Sequence, residues 1–157
     1  MKSVYSFIAA LGLALVVPAI ADAATGDPEV IIYRFSGVTD DGGGTNTGVA
    51  TAFHCTNFSG ETENLRFVTR SFNGQLRGNV PAAINHLQTL TAVTHNTNAY
   101  NEDSFLNTAE LTQGSTAIAA TTTNVVCTAA TLDASAAKPV GVARHGIRFN
   151  PAPGSQE

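Results

Sequence analysis

Three arginines, Arg66, Arg70 and Arg77, flank Asn73-Gly74, the strongest short turn signal in the chain, with Phe72 beside it. Asn-Gly favours a two-residue type I′ hairpin loop. Such a loop pairs Phe72 with Gln75 and sets Arg70 opposite Arg77. Like charges directly opposite one another on a sheet repel, and an anion held between them removes that repulsion. Guanidinium groups grip carboxylate or sulfate in a planar fork. Arg66, Arg70, Phe72 and Arg77 therefore form the leading candidate ligand site, for an acidic glycan, a small anion or an acidic loop of a protein partner. The same arginines would also suit a solvated guard on an exposed sheet face, with Glu61 and Glu63 as counter-charges.

Other groups offer weaker chemistry. Asp40-Asp41-Gly42-Gly43-Gly44-Thr45-Asn46 presents oxygens of the kind a hard cation takes, but calcium wants six to eight of them, more than two adjacent Asp side chains offer, so the run reads as a flexible inter-strand loop. No Lys-Ser/Thr follows the glycines, so no phosphate-cradling loop is indicated. The stretch from His95 to Asn107 reads as a long loop, and Tyr100 within it is a second candidate contact for a sugar or a partner surface. The four histidines, His54, His86, His95 and His145, lack the H-x-x-x-H spacing of a helical zinc site. There is no G-x-S-x-G elbow. No catalytic residue, metal site or cofactor is assigned. Asn57-Phe58-Ser59 matches a glycosylation sequon.

These side chains need a scaffold, and composition points to an exported β protein. The chain opens as a secretory signal does: Lys2, an apolar run from Phe7 to Val17, Pro18, then small residues that permit cleavage after Ala21 or Ala23. The run is short for a spanning helix, which needs about 20 apolar residues. Residues 1–23 are thus expected to be a signal peptide, 24–150 a β-sandwich domain and 151–157 a flexible tail. The expected location is secreted, periplasmic or cell-surface, with no transmembrane segment after cleavage. Net charge is −4, which disfavours nucleic acid as a partner because that partner selects clustered basic charge. Cys55 and Cys127, an even pair in an exported chain, predict one disulfide. Its loop-entropy worth is about 4 kcal/mol.

After the signal, short runs of strand formers alternate with turn residues: Val30–Val38, Val49–Phe58, Asn64–Phe72, Gln75–Val80, His86–Thr94, Ser115–Thr121, Val125–Leu132 and Val140–Phe149. This pattern predicts an all-β sandwich or barrel. In the hairpin, Leu65, Phe67, Leu76, Gly78 and Val80 share a core face. Arg66, Val68, Arg70, Phe72, Arg77 and Asn79 share the solvent face. In Val49–Phe58, Cys55 points inward with Phe53 and His54 points away, so a sulfur on one sheet could meet Cys127 on the other. The flanking runs Val30–Val38 and Val140–Phe149 are candidate edges for pairing with another chain.

The segment Ala50–Asp133 resembles the immunoglobulin-like β-sandwich modules of bacterial secreted and surface proteins. The resemblance rests on Cys55-Thr56-Asn57, Phe72-Asn73-Gly74-Gln75-Leu76, Gln113-Gly114-Ser115-Thr116-Ala117-Ile118 and Val125-Val126-Cys127-Thr128-Ala129. The chain has no Trp, so it lacks the core Trp of antibody-type domains. The resemblance implies an antiparallel sandwich of about seven or eight strands. It also implies a role in adhesion, assembly or display. The expected function is a non-enzymatic binding or structural module of the cell envelope or extracellular space. The alternative is a secreted hydrolase or metal-dependent enzyme whose His and Asp residues meet only in three dimensions.

Overall fold

A computed structural model describes residues 29–149. The expected signal peptide and C-terminal tail lie outside the described residues. Ten strands account for the regular structure: β1 (Val30–Asp40), β2 (Val49–Asn57), β3 (Glu63–Ser71), β4 (Leu76–Ile84), β5 (Thr89–Val93), β6 (Ser104–Phe105), β7 (Leu111–Ala120), β8 (Val125–Asp133), β9 (Gly141–Arg144) and β10 (Gly146–Arg148). They form two five-stranded sheets. The first has the order β10-β1-β7-β3-β4 and the second β6-β5-β2-β8-β9. Pairing is antiparallel except between β5 and β6. No helix among the described residues is long and apolar enough to cross a membrane.

Period-two alternation explains the layers. Successive strand side chains point to opposite faces, so β2 sends Thr51, Phe53, Cys55 and Asn57 inward while His54 and Thr56 look out. Phe53 of the second sheet lies between Phe35 and Phe67 of the first, with ring centroids 5.6 and 6.1 Å away in edge and tilted contacts. Ile32, Leu65, Ile118, Leu90 and Val125 fill in around these rings. Thr69 and Thr116, both fully buried, satisfy each other's hydroxyls at 2.8 Å.

The predicted disulfide is present, with a different placement. Cys55 and Cys127 face each other across neighbouring strands of one sheet, 4.1 Å apart at Cα. The bridge therefore does not span the two sheets. Both sulfurs still point to the core, because directly opposed residues share a face.

Three other expectations change. First, the hairpin turn is not type I′. The Gly74 N–H donates to the Ser71 carbonyl and the Ser71 N–H to the Gln75 carbonyl, both at 2.9 Å. Within the turn Gly74 alone has positive φ, 82°. This is a three-residue loop closed by a left-handed glycine. Arg70 consequently pairs with Leu76, and Arg77 is the extra residue of a bulge before Thr69 meets Gly78. From there the expected register holds, with Phe67 opposite Val80 and Leu65 opposite Ala82. Leu76, expected in the core, is 49% exposed. Second, Val140–Phe149 divides at His145: β9 joins one sheet and β10 the other. Third, β1 runs inside its sheet between β10 and β7, so it is no edge.

Candidate functional site

The outer face of the first sheet carries a groove along its central strand. Strand β7 presents the small residues Ser115 and Ala117 there. Register sets Ala117 between Arg34 of β1 and Val68 of β3, and Ser115 between Ser36 and Arg70. Small side chains on the middle strand and long ones on its neighbours leave a trough. Its volume is about 430 Å³, and its rim is completed by His145 and Ile147. None of the described residues lining it is acidic. Arg34, whose guanidinium lies 5.5 Å over the Phe149 ring, and Arg70 are permanent cations beside this floor of small side chains. A shallower depression continues past Ser36 and Ser115 to Phe72.

Of the sequence-predicted residues, Arg66 and Arg70 lie on this face, four residues apart on β3 with Val68 between them. Arg66 pairs with Glu29 rather than with Glu61 or Glu63. Arg70 donates to the Gly74 carbonyl at 3.1 Å. Phe72 sits at the hairpin tip, 75% exposed. Arg77 leaves the group: its Nε donates to the Thr108 carbonyl at 3.1 Å and an Nη to the Glu110 carbonyl at 2.8 Å. Sequence reading missed Arg34, His145 and the small residues of β7. Their juxtaposition depends on β1 and β7 being neighbours, which no local pattern states.

Tyr100 belongs to a different face. The connection after β5 folds back over the outer side of the second sheet. There Tyr100 and Ala99 pack on Ala52, Val93 and Leu132 as a second small core. The Tyr100 ring meets His54 edge-on at 4.5 Å. Acidic residues tie this connection down. Glu102 accepts the Thr97 N–H at 2.8 Å and its hydroxyl at 2.6 Å, and Asp103 accepts the Thr91 N–H at 2.8 Å. The connection is therefore a packed flap, and Tyr100 is half-buried in it. His54 Nδ1 lies 3.0 Å from the Thr91 hydroxyl, and burial lowers the His54 pKa from its ordinary value.

The sequon asparagine is structural. Asn57 is fully buried, and its amide nitrogen donates to the carbonyls of Glu61 (2.7 Å) and Ile84 (3.0 Å). That nitrogen is out of reach of a glycosylating enzyme in the folded state. His86 accepts the Gly60 N–H at 3.0 Å. His95 comes beside Asp40 and Asp41. No family model, curated protein or solved structure gives a significant match to the chain.

Proposed function

We propose that the protein is an exported, non-enzymatic binding module of the immunoglobulin-like kind, acting outside the cytoplasm, and that it holds an acidic glycan along the outer face of the first sheet. The observation that carries this reading is the groove floored by Ser115 and Ala117 between Arg34 and Arg70. Its volume falls in the range of small-ligand sites. Its chemistry suits a sugar ring bearing carboxylate: guanidinium forks for the anion and Val68, Ala117 and Ile147 for the apolar ring face. The mainly antiparallel two-sheet architecture and the disulfide are compatible with an exported module.

The test is calorimetric titration with uronate oligosaccharides and their neutral counterparts. Uronates should bind and neutral sugars should not. Arg70→Ala and Arg34→Ala should each weaken binding about tenfold, the scale of losing one charge-assisted contact. Ala117→Leu should block the floor while leaving both arginines. Equal binding of neutral sugars, or binding insensitive to all three substitutions, would refute the proposal.

A further inference from the structure

At one end of the sandwich, three connections meet around a buried carboxylate. Asp40 closes β1, and its side chain is 2% exposed. Its Oδ1 accepts the Gly42 N–H at 2.8 Å and its Oδ2 the Thr108 hydroxyl at 3.2 Å. His95, after β5, places Nε2 at 2.9 Å from the Thr47 carbonyl. A carbonyl can only accept, so the neutral ring carries its proton on Nε2 and its lone pair on Nδ1. Nδ1 is buried and lies 2.9 Å from Asp40 Oδ2, an ion pair when the ring is protonated but without hydrogen-bond geometry. A lone pair set against a carboxylate oxygen is repulsive unless a positive species sits with them. Asp41 supplies a third donor: its Oδ1 accepts the Gly43 N–H at 3.0 Å. Its other oxygen rests where a side chain on Gly48 would clash, since a Cβ there would come within 2.0 Å. The ligand atoms of Asp40, Asp41 and His95 all lie within 4.8 Å of one another.

We infer that Asp40, Asp41 and His95 form a binding site for a divalent transition ion of the zinc type, which clamps the β1–β2 loop to the connection after β5. A histidine that donates its remote N–H to a backbone carbonyl is oriented as metal-binding histidines are. One nitrogen and two carboxylate oxygens are zinc ligands. Bonds of about 2.0–2.2 Å set such donors roughly 3.4 Å apart, so binding would part His95 Nδ1 from Asp40 Oδ2, now at 2.9 Å, and draw the exposed Asp41 carboxylate in from within 4.8 Å. Calcium fits less well, since it takes six to eight oxygens. Three protein ligands leave a fourth position for water on the open, Asp41 side. The rival positive species is a proton on His95, which would need Asp40 but not Asp41.

The test uses the full chain, freed of metal by chelator and titrated with zinc chloride by calorimetry, with thermal melting in parallel. The expected result is one zinc per chain and a raised Tm. Asp41→Asn and His95→Gln should each weaken binding at least tenfold, and calcium at equal concentration should do nothing. Asp41 is exposed, so its variant folds even if the His95 variant does not. Three outcomes would each overturn the inference: no stoichiometric zinc binding, zinc binding indifferent to Asp41→Asn, or calcium binding tighter than zinc.

Discussion

Removing the Cys55–Cys127 bridge should destabilise the protein chiefly by freeing its unfolded chain. The bridge encloses a sequence separation of 72 residues. The loop-closure relation then gives about 4 kcal/mol, or roughly a thousandfold in the unfolding equilibrium. The folded state loses little, because β2 and β8 are already aligned over nine pairs from Val49↔Asp133 to Asn57↔Val125. Two comparisons separate the terms. The reduced wild type keeps both sulfurs and loses only the cross-link, whereas Cys55→Ala/Cys127→Ala also loses core volume, since the two residues are 0% and 6% exposed. Urea unfolding of oxidised, reduced and double-variant protein should show a drop of about 4 kcal/mol on reduction and a larger drop in the variant. The m-value should rise in both, because an uncrosslinked unfolded chain exposes more surface. Reduction that leaves stability within about 1 kcal/mol, or lowers it with no change in m, would refute this reasoning.

Two further outcomes follow from single side chains. The lowered His54 pKa means the unfolded chain takes up a proton first as pH falls below the ordinary value of 6.5, so this residue's contribution is full above that pH and is lost on acidification; comparing urea midpoints at pH 5 and 7.5 should show a smaller acid loss in His54→Gln than in wild type, and equal losses would count against the assignment. Asn57→Ala removes the donor to the buried Ile84 carbonyl, a donor to the Glu61 carbonyl and the acceptor of the Ser59 N–H at 2.8 Å; a loss of about 2–3 kcal/mol is expected by urea unfolding, and an unchanged midpoint would show that the loop after β2 is held by other contacts.

The fold was legible where chemistry is local. Alternation in Val49–Asn57 and Glu63–Ser71 places Phe53, Cys55, Leu65 and Phe67 correctly, because burial on one face of a strand enforces period two. The two-residue β6 carries no pattern long enough to read, and its parallel pairing with β5 depends on the flap between them. The candidate site was only half legible. Arg66 and Arg70 follow from alternation along β3, but Arg34 joins them through β7, and Asp40 meets His95 across 55 positions of chain. Contacts of that separation are products of sheet order. A single sequence does not state which strands become neighbours.

Arg77 makes the physical limit plain. Asn-Gly serves both a two-residue I′ loop and a three-residue loop ending in a left-handed glycine. The choice moves the register by one residue, and a one-residue slip sends side chains to the opposite face. Here the longer loop forms, and a bulge at Arg77 absorbs the extra residue so that Thr69 and Gly78 meet as alternation requires. The bulge re-aims the Arg77 guanidinium away from Arg70 and onto the carbonyls of Thr108 and Glu110. That segment contains two non-glycine residues with positive φ, Asn107 at 49° and Ala109 at 53°. Left-handed backbone at such residues persists only where surrounding contacts hold it. Arg77 supplies two of those contacts, and the Thr108 it fixes is the residue whose hydroxyl reaches Asp40. The arginine expected to bind a ligand thus helps to build the end of the sandwich where Asp40, Asp41 and His95 converge.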